Sequence, residues 1–196
     1  MKTKQLLIVG LVGLPGAGKS TAATFLEKQR FYHITLSDLI KQEARKAGIN
    51  KYTREMLQNY GNKMRETYGP QILAQLALKK AMDENKRKVV IDGIRNLYEV
   101  AFLGVEHKFS LIGITAPSKT RYERVRKRKG KVWTGTYDNF LLQEKREGSL
   151  GSKAIGLRVK DCLKKSDITV KNSKTEREFI DSLDALIKTI RIQNNI

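Results

Sequence analysis

Residues 5–12, QLLIVGLV, form an almost unbroken apolar run, which fits a strand buried on both faces of a parallel sheet better than one with a wet face. Four later runs share that character: HITL at 33–36, KVVID at 88–92, FSLIGIT at 109–115 and DITVK at 167–171. Helical patterns separate them. The clearest is the last, where Phe179, Leu183, Leu186, Ile187 and Ile190 recur at helical spacing after a start signal, SKTE, at 173–176. The alternation predicts an α/β fold in three layers, a parallel five-stranded sheet with helices on both faces, with ligands at the C-terminal ends of the strands.

The stretch between the second and third strands departs from that rhythm. Helical patterns at 37–48, 53–68 and 70–85 exceed a simple crossover, so 37–86 reads as an inserted helical region that binds a second ligand. Residues 129–137, KGKVWTGTY, carry two glycines before a new helix begins near Asp138; they read as a short lid over 129–143. With no repeat, low-complexity tract or linker, one domain over 1–196 is expected.

Composition narrows the classes. The chain has 196 residues, 40% hydrophobic and 30% charged with 3 prolines, a globular profile and not a disordered one. No run approaches the ~20 apolar residues of a membrane span, and the first apolar run leads into a glycine loop instead of a cleavage site. Cys162 is the one cysteine, and neither it nor His33 or His107 has metal-ligand spacing, which predicts a cytoplasmic protein without disulfides. The net charge of +19 suits polyanions of any kind, nucleic acid, ribosomes, acidic membranes or nucleotide phosphates, and a lysine-rich composition also arises from genomic bias or a hot habitat.

The chemistry begins at Gly13-Leu14-Pro15-Gly16-Ala17-Gly18-Lys19-Ser20, a GxxxxGK[ST] phosphate loop between a buried strand and the amphipathic helix that opens at Thr21. Glycines let successive N–H groups turn toward a β-phosphate, and the helix N-terminus adds its positive end. Lys19 bridges β- and γ-phosphates, and Ser20 ligates Mg²⁺. The motif implies Mg·ATP on a P-loop NTPase fold. Asp92 ends the strand KVVID, where its carboxylate would hold hydrated Mg²⁺ opposite Ser20.

Taken in order, GLPGAGKS, Ser37-Asp38, Asp92-Gly93-Ile94-Arg95, TRYERVRKR and the Ser166-Asp167 and Asn172 frame of the last strand resemble the P-loop nucleoside monophosphate kinase superfamily. The likeness is greatest to its adenylate-kinase-related and dephospho-CoA-kinase-like members, and it covers nearly the whole chain. It implies that Asp38 and Lys41 open the acceptor site and that Arg54, Arg65 and Arg95 present guanidinium forks to the acceptor phosphate. It also implies that Arg124 lies near the adenine with Asn172, that Arg128 reaches the transferring phosphoryl group, and that Lys145 and Arg146 join from the lid. Adenylate kinases usually carry arginine where Lys41 stands, and a proline before the arginine of the DG motif.

Those features imply an ATP-dependent phosphotransferase acting on a small-molecule nucleotide acceptor, a nucleoside monophosphate before dephospho-CoA. A monophosphate needs no base, whereas a hydroxyl acceptor would use Asp38. A nucleotide-gated RNA- or ribosome-associated ATPase is the reading from another class, motivated by the charge. Monomer and homodimer both fit, and no membrane partner is expected.

Overall fold

The computed structural model describes residues 5–128, 135–149 and 156–193, and in them every side chain except those at positions 54, 106, 146, 148 and 149. The strands are β1 (Leu7–Val12), β2 (Tyr32–Thr35), β3 (Lys88–Asp92), β4 (Lys108–Thr115) and β5 (Ile168–Lys171). Helix α1 (Lys19–Lys28) follows β1, and α2 (Leu36–Lys46), α3 (Arg54–Tyr68) and α4 (Ile72–Asp83) lie between β2 and β3. Helices α5 (Leu97–Glu106), α6 (Ser118–Arg126), α7 (Tyr137–Ser149), α8 (Val159–Lys164) and α9 (Glu176–Gln193) complete the order.

All pairings in the sheet are parallel, in the order β2-β3-β1-β4-β5. The central position of β1 explains its unbroken apolar run. Leu6, Ile8 and Val12 face one core with α2, α4 and α8, while Leu7, Val9 and Leu11 face the other with α1 and α9. Period-2 alternation thus supplies both layers, because neither side of β1 meets water. The amphipathic face read at the C-terminus docks as expected: Phe179, Leu183, Leu186, Ile187 and Ile190 are all buried in the second core.

Register brings the site together. Leu11, two residues before the glycine loop, pairs with Asp92, and Thr35 at the end of β2 pairs with the same residue. The C-terminal ends of β1, β2 and β3 therefore lie side by side under the loops that follow them. Within the expected lid, 135–143 is described and 129–134 lies outside the described residues. Among the described residues no helix is long and apolar enough to cross a membrane.

Cys162, on α8, is fully buried in the first core. Burial, with the charges of Glu99 and Asp161 in support, pushes its thiol up to about 12. A raised value keeps the group protonated at pH 8, and only the thiolate reacts. The native protein is expected to modify with a disulfide reagent about 10³-fold slower than an unperturbed thiol, and urea should release one reactive thiol per chain. Stopped-flow absorbance in native and denaturing buffer checks this.

Candidate active site

The glycine loop takes its shape from what it touches. Gly16 and Gly18 have φ of 76° and 114°, left-handed conformations that glycine adopts without a Cβ penalty. A Cβ at Gly16 would lie 2.4 Å from the Arg121 carbonyl oxygen, and one at Gly18 would lie 2.2 Å from the Asn172 amide nitrogen. The loop is therefore clamped between α6 and the end of β5. Helix α1 starts at Lys19 with Gly18 as its N-cap, so its first-turn N–H groups are left for a ligand.

Lys19 Nζ donates to the Gly13 carbonyl at 2.7 Å and to that of Leu14 at 3.5 Å. The ammonium thus sits inside the loop that a phosphate would fill. Ser20 is exposed, and Thr21 is partly buried. Asp92 is 9% exposed, and its Oδ1 is buried with no hydrogen-bond partner among the described residues. An orphaned carboxylate oxygen beside a phosphate loop suits a hard, hydrated cation such as Mg²⁺, and the Ser20 hydroxyl belongs to the same donor class.

The wall formed by α6 and β5 is a relay of hydrogen bonds. Arg124 donates through Nη1 to the Asn172 carbonyl and through Nη2 to Asn172 Oδ1, both at 3.1 Å. Asn172 Nδ2 in turn donates to the Ala17 carbonyl at 2.9 Å. The Asn172 side chain is thereby committed to bracing the loop. Arg121 is buried; its Nε donates to the Ala116 carbonyl at 2.8 Å, and its Nη1 meets Glu144 Oε2 at 2.6 Å. Arg128 is exposed beyond the end of α6.

A cleft lies beyond the C-terminal end of β3, lined by Gly93 and Arg95 and by side chains of α2, α3 and α4. Leu36, Ile40, Leu57, Leu73 and Leu157 make it apolar, and Ser37, Gln58, Arg65 and Arg95 are its polar side chains. Expectation and structure diverge at the start of α2. Asp38 is paired with Lys41 at 2.5 Å on the solvent side of α2, with side-chain exposures of 58% and 29% for Asp38 and Lys41 respectively. Neither lines the cleft. Leu36 and Ile40, four apart, turn inward with Ser37, and helical spacing carries Asp38 and Lys41 round to another face.

Arg65 lies in the cleft wall but is committed elsewhere. Its Nε and Nη2 donate to Glu99 Oε1 at 3.1 and 2.7 Å, and the two side chains are 2% and 0% exposed. Glu99 Oε2 accepts the backbone N–H groups of Arg95 and Asn96 at 3.0 and 3.1 Å, closing a capping box at the start of α5. Arg95 Nη1 meets the buried Glu147 of α7 at 3.3 Å. The side chains of Arg54 and Arg146 lie outside the described residues. Lys145, also expected near the lid, is exposed.

The sequence reading passed over Glu99, Glu144 and Glu147. The signal for Glu99 was present as Asn96-x-x-Glu99 before an apolar run. Glu144 and Glu147, three apart on α7, share one helix face. Replacing Glu99 with alanine would leave a buried guanidinium unpaired, and a loss of about 3–5 kcal/mol in urea unfolding is expected.

Comparison with known proteins agrees with this architecture. The AAA_18 family, described as an AAA domain, matches residues 9–141. A UPF0200 protein of Pyrococcus horikoshii is 32% identical over 189 residues, covering 94% of this chain and 97% of that one. A UPF0200 protein of Methanocaldococcus jannaschii is 29% identical over 187 residues, covering 94% and 91%. Among solved structures, shikimate kinase from Bacteroides thetaiotaomicron superposes with a TM-score of 0.61 at 14% identity, covering 93% of this chain and 98% of that one. Shikimate kinase from Acinetobacter baumannii, in complex with shikimate, gives 0.55 at 16% identity, covering 97% and 96%. At such identities the likeness speaks for the fold alone, a parallel-sheet P-loop fold shared with small-molecule kinases. The chain therefore belongs to the UPF0200 family and, over residues 9–141, to AAA_18.

Proposed function

We propose that this protein transfers the γ-phosphoryl group of Mg·ATP to a small nucleotide-like acceptor, with a nucleoside monophosphate as the first choice. The observation that carries this reading is a glycine loop after β1 with its lysine folded inside, and after the neighbouring strand β3 a separate cleft whose polar side chains include two guanidinium groups. In this reading Gly13 to Ser20 cradle the β- and γ-phosphates, and Lys19 exchanges its carbonyl partners for them. Ser20 and Asp92 would hold Mg²⁺, Asp92 through water, and the ion would neutralise the charge on the β- and γ-oxygens. In the same reading Arg124 would brace the adenine side, Arg128 would meet charge on the donor and Arg95 charge on the acceptor.

No described residue lining the cleft carries a carboxylate, and Asp38 is turned away beside Lys41. A hydroxyl acceptor needs a base to take its proton, whereas a phosphate oxygen is already anionic at neutral pH. That contrast supports a monophosphate over dephospho-CoA.

A coupled ADP-release assay with Mg·ATP against AMP, CMP, UMP, GMP, their deoxy forms and dephospho-CoA tests the proposal. Turnover on a monophosphate should fall about 10²–10³-fold in Lys19→Ala. ADP release independent of every acceptor would overturn it in favour of a nucleotide-gated ATPase.

A further inference from the structure

Helix α5 is built to pack on two sides. Glu99 and Leu103 are fully buried on its inner side. On the other, Tyr98, Ala101, Phe102 and Val105 fall at i, i+3, i+4 and i+7, the spacing of an apolar stripe that packs against a neighbour. That stripe looks outward: Tyr98 and Val105 are 48% and 77% exposed, Ala101 is exposed and Phe102 is half-buried. The helix that presents it is pinned at its start by the capping box of Asn96 and Glu99, with the Tyr98 N–H donating to Asn96 Oδ1 at 2.8 Å. A stripe on a fixed element loses little freedom when it is covered.

Charge says what kind of partner covers it. Among the described helices α5 alone contains no lysine or arginine, and its two charged residues are Glu99, in the interior, and Glu106. The chain as a whole carries +19, so two copies repel each other wherever their lysines and arginines meet. An acidic protein or a polyanion gains by docking on those basic faces and gains no attraction from basic side chains at α5. For a partner that carries the same excess of positive charge the order is reversed, and the one helix without basic side chains is the face it can approach.

We propose that the outer face of α5 docks a second copy of this chain, in an isologous pair in which α5 of one protomer crosses α5 of its partner near Ala101. Ala101 lies at the middle of the stripe, and its small side chain lets the two helices come close, with Tyr98 and Val105 of each packing across the two-fold axis. A helix of 10 residues is about 15 Å long, which puts the contact at the small end of specific interfaces and the dimer in the micromolar range. The inference is independent of the phosphoryl transfer proposed above, since it uses neither the glycine loop nor the cleft.

Sedimentation velocity of the full chain, across a concentration series spanning the micromolar range, tests this. The wild type should pass from monomer to dimer, and raising the salt from about 0.1 to 0.5 M should tighten the dimer severalfold as repulsion between the two copies is screened. Val105→Lys should weaken it about tenfold or more, whereas Leu142→Lys, at a 63% exposed position on α7, should leave it unchanged. Ala101→Cys should cross-link to a covalent dimer under copper–phenanthroline and air, and Leu142→Cys should not; Cys162, being buried, does not compete. A monomer at every concentration, a dimer loosened by salt, or equal effects of the two lysine variants would overturn the proposal. Flotation of a monomer on neutral phosphatidylcholine vesicles, lost in Val105→Lys, would also overturn it and give the face to a lipid surface.

Discussion

A carboxylate with no access to water must have its charge answered by the protein, and Glu99 shows how much structure that requirement organises. One oxygen takes the Arg65 guanidinium and the other takes the N–H groups of Arg95 and Asn96. Helix α3, the loop after β3 and the start of α5 are thereby drawn to a single point. The bracket extends further: the Asn96 amide donates to the Gly156 carbonyl, and the Arg158 N–H donates to the Arg95 carbonyl at 2.7 Å. The wall of the cleft is built outward from this group, because leaving any of its partners unmade would strand a buried charge.

The nucleotide side obeys a different rule. The braces of the glycine loop are the Asn172 amide, Arg121 and the Lys19 ammonium. Close approach of backbone to backbone fixes this part, and glycine at 16 and 18 makes the approach possible. The two sides meet where Leu11 and Asp92 pair across β1 and β3. Strand register, more than any side chain, sets the spacing between the glycine loop and the segment after β3 that carries Gly93 and Arg95.

Strands and the glycine loop were legible in the sequence because their signals are local: an apolar run with turn residues, and a fixed spacing of glycines before a lysine. Boundaries were less so. The second strand is Tyr32–Thr35, not 33–36, because Leu36 already opens α2. Helix α5, LYEVAFLGVE, carries apolar residues around most of its circumference, and α8 is only 6 residues long; neither shows a clean helical period. The arginines illustrate a deeper limit. Their number and type could be read, but Arg65 meets a partner 34 residues away and Arg124 meets one 48 away. Which arginine is committed to the fold and which is held for a ligand is a property of those distant pairings.

The positive charges divide by residue type. Arg65 and Arg121 are buried against carboxylates, whereas no described lysine is buried. The net excess of +19 therefore lies largely in the solvent, where its mutual repulsion is screened over about 8 Å at physiological ionic strength. The buried pairs lie behind low-dielectric protein and feel little of that screening. Added salt relaxes the outer shell of charge while leaving the interior contacts that shape the cleft as they were, so the stability of the folded chain and the geometry of its site answer to ionic strength separately.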